Sequence, residues 1–402
     1  MFSNDVGDDQ HEHLRDRLLQ GCCFVMPALT PIPQVCPWLG QAEAAAAASA
    51  ITSNWITEGP NCTQFSERLR TLIGVPFGVF APNGTLALSL AMMAIGIGPG
   101  DEVLVPDITF IGSANAVILL GATPIFVDVE PKTFQIDLTH AESLVSGSTR
   151  AIMPVHLYGA ACDMTSIVAF ARHHNIRIVE DAAQGIGVVH RERHVGGIGD
   201  VGCFSFFADK TITTGEGGFV VCKDEPTYDR LRYFRNQGRF NAGTFEHPAI
   251  GYNFRITDMQ AAIGLVQLSK LDEIIRRKRA IHAWYQTDLK DIDEVRLLGP
   301  APDGTHVPFR CVLIASRARA LMAHLDACQV QSRGFFYPMH KQPCFASYFA
   351  DKASSPSLRD ADYPNSTYGY EHGLCLPVFP TLLREQVTYI TTEIARFYRK
   401  TA

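Results

Sequence analysis

Between positions 83 and 222, short continuous apolar runs alternate with stretches of helical periodicity. The apolar runs predict strands at residues 102–105, 123–127, 151–155, 177–180, 202–207 and 218–222. The periodic stretches predict helices at 83–95, 111–120 and 164–174. A strand that is apolar throughout must be covered on both faces, and strands alternating with helices are typical of parallel sheets. The pattern therefore predicts an α/β fold with a mostly parallel sheet flanked by helices.

The pattern changes beyond residue 257. One long helical run at 257–278 is predicted to bridge to a second domain, followed by strands at 307–314 and 334–337 and helices at 317–327 and 383–398. An alanine-rich helix is predicted at 43–50, because alanine is the best helix former. We therefore predict an N-terminal arm at 1–30, a large domain at 31–275 and a smaller C-terminal α+β domain at 276–402.

Composition narrows the class of protein. The 402 residues are 47% hydrophobic and 19% charged, which excludes a disordered chain. The net charge is −6, and the one basic run, Arg276–Arg279, lies on a helical pattern, so no nucleic-acid partner is expected. Apolar stretches are too short to span a bilayer. The eleven cysteines include no Cys-x-x-Cys pair, which favours reduced thiols and a cytoplasmic protein without a metal.

Two motif-like patterns are rejected. Residues 197–202 match G-x-G-x-x-G, but a strand-like segment follows where a dinucleotide loop would open a helix. His190 and His194 are four residues apart, as helical metal ligands are, but they lie in a predicted hairpin turn at 188–197 without an acidic third ligand.

Asp181 directly follows the predicted strand at 177–180. Ligands bind at the carboxyl ends of strands in open parallel sheets. An aspartate there could keep a pyridine nitrogen protonated, so that the ring withdraws electrons from a substrate carbon. The alternative is that Asp181 only caps a helix.

Lys210 and the start of the helix at 83–95 complete a set. Lys210 follows the next predicted strand and precedes a glycine-rich turn at 213–218, where the backbone can approach a ligand closely. A buried lysine has a depressed pKa, and its neutral amine can attack an aldehyde. Asn83-Gly84-Thr85 at a helix start offers amides and a hydroxyl to an anion, although it could equally be a plain cap.

Together these elements make the chain resemble the DegT/DnrJ/EryC/StrS sugar aminotransferases, which have fold type I and use pyridoxal 5′-phosphate (PLP). The resemblance runs from about Trp55 to Ile390. The matching stretches are residues 55–60, 96–103, 154–159, 180–184, 204–206, 210–218, 251–255 and 260–264.

The resemblance implies a role for each matching residue. Lys210 would carry PLP as a Schiff base, Asp181 would pair with the pyridine nitrogen, Gln184 would contact the ring hydroxyl and Phe110 would stack on the ring. The phosphate would be held by Gly84, Thr85 and Ser205, with Asn253 reaching it from the second subunit of a homodimer that shares its active sites.

Two positions depart from the family pattern. Asn83 stands where serine is common, and Asp107 occupies a loop position that should lie next to the ring. For the substrate, the candidate contacts are Thr57, Arg239, His340 and Lys341.

Within the family, residues 247–253 and 335–340 most resemble the perosamine synthase type. That type implies transfer of the amino group of L-glutamate to the C4 keto group of a nucleotide-linked 4-keto-6-deoxyhexose, here expected on GDP. The alternatives are amination of another keto-sugar or a cyclic keto-polyol, and a PLP-binding protein of the same fold that is not a transaminase. The latter would be a dehydratase, in which histidine replaces the lysine, or a non-catalytic regulator.

Overall fold

A seven-stranded sheet forms the centre of the fold in the computed structural model, which describes residues 31–239, 245–350 and 355–399. The predicted N-terminal arm therefore lies outside the described residues. The strands are β1 (Phe77–Ala81), β2 (Glu102–Pro106), β3 (Thr123–Val127), β4 (Thr149–Ile152), β5 (Arg177–Asp181), β8 (Val201–Ser205) and β9 (Gly218–Cys222). Their order in the sheet is β1-β9-β8-β5-β4-β2-β3.

Six of these strands run in one direction. Strands β8, β5, β4, β2 and β3 pair in parallel, and β9 runs antiparallel to both of its neighbours, β1 and β8. The predicted mostly parallel sheet is confirmed. Strand β1 was not predicted, because its five residues, Phe-Gly-Val-Phe-Ala, include a glycine and follow directly after Pro76.

Helices cover both faces of this sheet. They are α1 (Gln41–Thr52), α2 (Pro60–Ile73), α3 (Gly84–Ala94), α4 (Gly112–Ile118), α5 (Leu138–Leu144), α6 (Met164–His174), α7 (Glu225–Arg235) and α8 (Asp258–Ser269). Two buried apolar clusters pack against the sheet, one around Leu90 and Val105 and the other around Phe65 and Phe219. A short hairpin of β6 (Val189–His190) and β7 (Arg193–His194) occupies the turn predicted at 188–197.

The long helical run predicted at 257–278 is interrupted. Helix α8 ends at Ser269 and α9 (Leu271–Leu289) begins two residues later. Lys270 between them has φ −94° and ψ −4°, and its ammonium lies 2.6 Å from Glu43 Oε1 of α1. The predicted domain boundary at 275/276 falls inside α9, and the division into two domains stays a prediction.

A second sheet follows in the chain. Its four antiparallel strands, in the order β10-β11-β13-β12, are β10 (Val295–Leu297), β11 (Cys311–Ala315), β12 (Arg333–Gly334) and β13 (Gly373–Leu376). The accompanying helices are α10 (Ala318–Ala327), α11 (Pro343–Phe349), α12 (Pro364–His372) and α13 (Arg384–Arg399). Three short 3₁₀ turns occur at Leu157–Gly159, Met339–Lys341 and Asp360–Asp362. Among the described residues, no helix is long and apolar enough to cross a membrane.

The topology brings the predicted chemical groups to one edge. Asp181 is the last residue of β5, Ser205 is the last residue of β8, and the N-terminus of α3 follows β1. Because these three strands run in the same direction, their carboxyl ends meet at the same edge of the sheet.

Candidate active site

A cavity of about 690 Å³ lies at this carboxyl edge. Seven of the eight predicted PLP contacts line it: Gly84, Thr85, Phe110, Asp181, Gln184, Ser205 and Lys210. Its walls also include Phe309 and Arg310, just before β11, and Arg333 of β12. Both sheets therefore contribute to one cavity, whose volume is typical of a small-molecule site.

The N-terminus of α3 forms one wall. The Asn83 side chain caps the helix by accepting a 3.0 Å hydrogen bond from the Leu86 amide, so the asparagine that replaces the usual serine still works as a cap. A Cβ added to Gly84 would lie 2.9 Å from Ser205 Cβ, so glycine is what lets the Ser205 side chain approach the helix start. The first amides of a helix have no partner within the helix, and together with the helix dipole they attract an anion.

Asp181 lies buried at the back of the cavity. Its Oδ2 accepts a 2.8 Å hydrogen bond from the Ser113 hydroxyl, and its Oδ1 accepts from the Ala183 amide at 3.1 Å. Burial raises the pKa of Asp181, and the hydrogen bond from Ser113 and the charge of Lys210 oppose that rise. The alternative that Asp181 caps a helix is wrong, because turns and then β6 follow it in the chain.

Lys210 enters the cavity from the turn after β8. Its Nζ lies 4.5 Å from the centroid of the Phe309 ring. Burial lowers the pKa of Lys210, while the nearby carboxylates of Asp209 and Asp181 act in the opposite direction. A lysine held in this way has a larger neutral fraction near pH 7 than a solvated one, and the neutral amine is the nucleophile.

Aromatic and amide groups complete the walls. The Gln184 side-chain oxygen accepts a 2.6 Å hydrogen bond from the Tyr158 amide, which holds the carboxamide in place. The Tyr158 ring stacks on Phe336 with centroids 5.2 Å apart. Phe110 packs edge-on against Phe336 at 6.3 Å and is 56% exposed, so one aromatic ring is available to a ligand in the cavity.

The segment that contains the G-x-G-x-x-G pattern binds a carboxylate of the protein itself, that of Glu180. The amides of Gly196, Ile198 and Gly199 donate to the buried Glu180, and His156 Nε2 lies 3.1 Å from its Oε2. Although burial alone would raise the pKa of Glu180, the hydrogen bonds from His156 and these amides hold it below its ordinary value. The loop is therefore already occupied by an anion of the protein itself, which agrees with the rejection of a dinucleotide site.

Two kinds of site residue escaped the sequence analysis. Ser113 lies on α4, and only the folded sheet brings it to Asp181, 68 positions away. Arg310 and Arg333 line the cavity, with Arg310 bound to Asp209 and Gln34. Arg333 is exposed and forms no ion pair with any residue in the described ranges. The sequence placed Phe309-Arg310 in the predicted strand at 307–314, which was the one indication that Arg310 could be a site residue. A single sequence does not show which strand ends face the site.

The remaining predicted residues lie elsewhere. Asn253, Thr57 and Arg239 do not line this cavity. Asn253 is exposed and forms a backbone bridge with Asn236, and the Thr57 carbonyl accepts from the Asp258 amide at 2.9 Å. Arg239 donates through its backbone amide to the Asn236 carbonyl and directly precedes residues outside the described ranges.

His340 and Lys341 take part in a separate polar cluster. His340 Nδ1 lies 2.7 Å from Asp107 Oδ2, and its Nε2 lies 3.2 Å from Asp360 Oδ1. The Lys341 ammonium donates to the other oxygen of Asp360 at 2.8 Å. Asp107 lies in the loop after β2, as expected, but it does not line the cavity. It is fully buried against His340, because an unpaired carboxylate there would be very unfavourable.

The cavity fits PLP by the chemistry of its donors. An anion site at the start of α3 suits the phosphate, the buried Asp181 suits a protonated pyridine nitrogen, and Lys210 offers an amine of lowered pKa. Glycine at position 84 also fits this assignment, since a Cβ there would lie 2.9 Å from Ser205 Cβ and would push the serine hydroxyl away from the helix start.

Comparison with known proteins supports the same assignment. Residues 37–395 match the model of the DegT/DnrJ/EryC1/StrS aminotransferase family. The chain is 38% identical to the GDP-perosamine synthase of Escherichia coli O157:H7, over 91% of this chain and 98% of the relative. It is 40% identical to the GDP-perosamine synthase of Caulobacter vibrioides, over 74% and 82%, respectively. It is also 39% identical to the UDP-N-acetyl-3-dehydro-alpha-D-glucosamine 3-aminotransferase of Acidithiobacillus ferrooxidans, over 81% and 85%.

Solved structures agree in fold. DesV of S. venezuelae, in complex with a ketimine intermediate, superposes with a TM-score of 0.83 at 33% identity, covering 88% of this chain and 94% of DesV. The PLP form of the putative sugar aminotransferase Spr1654 from Streptococcus pneumoniae gives 0.85 at 25% identity, covering 93% and 100%. With its fold type I architecture and a cavity suited to PLP, this chain belongs to the DegT/DnrJ/EryC1/StrS aminotransferase family.

Proposed function

We propose that this PLP-dependent aminotransferase transfers the amino group of L-glutamate to the C4 keto group of a nucleotide-linked 4-keto-6-deoxyhexose, with GDP-4-keto-6-deoxymannose as the preferred acceptor. The observation on which the proposal rests is the convergence of Lys210, Asp181 and the N-terminus of α3 in one cavity. The names of the two GDP-perosamine synthases support the choice of sugar.

Bound PLP would supply the electron-withdrawing ring that stabilises negative charge at the substrate carbon. Asp181, oriented by Ser113, would keep the pyridine nitrogen protonated. Gly84, Thr85 and Ser205 would hold the phosphate, Phe110 would cover one face of the ring, and Gln184 would contact the ring hydroxyl.

Lys210 would act as the acid and base of the reaction. Because its pKa is lowered by burial, its neutral Nζ can accept a proton from the reacting carbon of glutamate and later deliver one to the C4 carbon of the sugar. The hydrophobic ring of Phe309 beside Nζ limits the water around the amine during this transfer.

Arg333 and Arg310 are the proposed anion-binding groups for the substrates. Both line the cavity, and guanidinium groups bind carboxylates and phosphates in a bidentate manner. Arg333 is exposed and unpaired within the described part of the chain, so it can take a substrate anion without breaking an existing ion pair. Lys341 and Arg239 are weaker candidates for the diphosphate, because neither lines the cavity and Lys341 already pairs with Asp360.

We also propose a homodimer in which Asn253 reaches the phosphate of the partner's PLP. Three large apolar side chains near Asn253 support an interface, since Phe245 is 91% exposed, Ile250 is 85% exposed and Tyr252 is 44% exposed. Exposed apolar side chains concentrated in one segment of the chain favour a contact with another protein.

The substrate is tested by incubating the reconstituted enzyme with L-glutamate and a panel of keto-sugar nucleotides, and measuring initial rates and product masses. GDP-4-keto-6-deoxymannose should be aminated faster than the dTDP-linked 4-keto-6-deoxyhexose. Preference for the dTDP sugar, for a UDP-linked 3-keto sugar or for a cyclic keto-polyol would overturn the choice of sugar. The absence of 2-oxoglutarate formation with every acceptor would overturn the proposed donor reaction.

A further inference from the structure

A histidine, a cysteine and a glutamate from two helices lie close together in space. All three are far in sequence from the predicted PLP-binding residues. His324 lies in the last turn of α10, Cys328 caps that helix, and Glu393 lies on α13. One ligand atom from each lies within 4.8 Å of the other two. We propose that His324, Cys328 and Glu393 bind a divalent transition-metal ion, for which Zn²⁺ is the best match.

The distances between the three atoms suit tetrahedral coordination. His324 Nε2 lies 3.3 Å from Glu393 Oε2, Cys328 Sγ lies 3.5 Å from the same oxygen, and Sγ lies 3.8 Å from Nε2. With typical Zn–N, Zn–O and Zn–S bonds, a tetrahedral site separates N from O by about 3.3 Å and S from N or O by about 3.6 Å. The side chains therefore need only small adjustments to coordinate one ion.

The helices hold these groups in position before any ion binds. His324 and Cys328 are four residues apart, which places both on one face of α10. The Tyr389 hydroxyl of α13 donates to the Cys328 carbonyl at 3.1 Å and joins the two helices beside the cluster. The cluster is therefore built by tertiary packing and is more than a chance contact between long surface side chains.

Glu393 has the environment of a metal-binding carboxylate. It is 3% exposed, and its Oε2 faces both His324 and Cys328. Its other oxygen accepts a 2.7 Å hydrogen bond from Arg396. Such an outer partner orients a ligating carboxylate, and it leaves Oε2 directed at the two other proposed ligands.

The donor set favours Zn²⁺ over Mg²⁺ or Ca²⁺, since thiolate and imidazole ligands suit softer ions, whereas Mg²⁺ and Ca²⁺ prefer oxygen. Binding forms three bonds from the ion to the protein and releases the Cys328 thiol proton to solvent. The side chain of His324 is 23% exposed, so a water molecule can complete the fourth position. The ion would crosslink α10 to α13.

The test uses the PLP-loaded enzyme, dialysed with a chelator and then titrated with Co²⁺ or Zn²⁺. Co²⁺ should give the red-region visible bands of a tetrahedral thiolate complex, where PLP does not absorb, and should saturate at one ion per chain. Zn²⁺ should displace Co²⁺ and raise the Tm. Cys328→Ser and His324→Ala should abolish the bands, and Glu393→Gln should weaken binding. Far-UV circular dichroism and transamination rates establish that each variant is folded.

Two control variants separate this cluster from other metal-binding groups. Cys344→Ser removes an exposed cysteine, and His174→Ala disrupts the exposed cluster of Glu142, His173 and His174. Both should bind Co²⁺ as the wild type does. The proposal is overturned if the wild type shows no saturable binding, which would leave only a hydrogen-bonded cluster. It is equally overturned if the bands persist in Cys328→Ser or vanish in Cys344→Ser.

Discussion

The hydroxyl of Ser113 donates a 2.8 Å hydrogen bond to the carboxylate of Asp181. Ser113 also lies 3.1 Å from the hydroxyl of Thr109, so a short chain of hydroxyls leads to the carboxylate. All three side chains are buried. Hydrogen bonds to an ionised group strengthen in a buried setting, and the hydrogen bond from Ser113 opposes the upward effect of burial on the pKa of Asp181.

Ser113→Ala should move the acid limb of the pH–rate profile to higher pH. Without the hydroxyl the pKa of Asp181 rises further, so the carboxylate is protonated and unable to pair with the ring nitrogen at a higher pH than in the wild type. A lost hydrogen bond to a charged group corresponds to a rate decrease of roughly tenfold or more on the acid side. The complete pH dependence of kcat/KM measures this.

The matched control for that variant is Ser366→Ala. Ser366 is also a buried serine whose hydroxyl donates to an aspartate, at 2.7 Å to Asp128 Oδ1, but neither residue lines the cavity. Its profile should keep the wild-type acid limb. Asp181→Asn sets the upper limit of the loss of activity expected from Ser113→Ala. It should reduce transamination by several orders of magnitude while PLP stays bound. An unchanged profile in Ser113→Ala would show that the hydroxyl only packs.

Lys210→Ala should abolish transamination and the covalent attachment of PLP. The variant should still bind PLP through the phosphate site and Asp181, because those groups are intact. Borohydride reduction followed by peptide mass mapping detects the attachment in the wild type and its loss in the variant. Lys341→Ala, which removes a lysine paired with Asp360 outside the cavity, should keep it. A wild-type link on any other lysine contradicts the assignment.

Arg333→Ala should raise KM for a substrate by about tenfold or more, since a hydrogen-bonded charge pair is lost. The effect should fall mainly on KM because the arginine binds an anion without touching the reacting carbon. Comparing KM for glutamate with KM for the sugar nucleotide identifies which anion is bound. Arg239→Ala and Lys341→Ala should leave both values unchanged, and the reverse result would favour the candidates chosen from the sequence.

Mixing two inactive variants should restore activity if active sites are shared between subunits. Each proposed site takes Lys210 from one subunit and Asn253 from the other. A dimer of one Lys210→Ala subunit and one Asn253→Ala subunit therefore has one site in which both groups are intact. Activity should recover to about a quarter of the wild type at equal mixing, since half of random pairs are mixed and each has one intact site of two. A fully active monomer by light scattering would refute the shared site.

Lys278→Met should flatten the rise of stability with pH above neutrality. Burial lowers the pKa of Lys278 from 10.5 to about 7, so between these values the unfolded chain binds a proton that the folded chain does not. The free energy of unfolding therefore rises with pH in that window, by up to about 1.4 kcal/mol per unit from this group. Unfolding midpoints at several pH values measure the difference.

Lys290→Met is the control for Lys278→Met, because Lys290 is an exposed lysine at the end of the same helix α9. It should keep the wild-type pH dependence. Equal slopes in all three proteins would mean that the Lys278 ammonium stays charged when folded, held by its 3.0 Å hydrogen bond to the Pro308 carbonyl.

Local sequence determined much of this protein. Continuous apolar runs require strands buried on both faces, so the bounds of β2, β3, β5 and β9 were predicted within a residue or two. The helical periodicity at 164–174 predicted both ends of α6 correctly. Asp181 and the α3 cap were recognisable because each stands at the end of such an element, and Lys210 because it follows β8 by five residues. The break at Lys270 was not predictable, since helical periodicity continues across it.

Tertiary structure alone decided which polar groups face the cavity. Ser113 and Asp181 belong to separate β/α units that the strand order brings together, and Arg333 reaches the site from a two-residue strand of the second sheet. His340 was predicted to contact the substrate and Asp107 to lie next to the ring, yet both are buried and hydrogen-bonded to each other. The periodicity of a chain specifies which face of an element is buried, whereas the partner that a polar side chain meets depends on contacts between residues far apart in sequence.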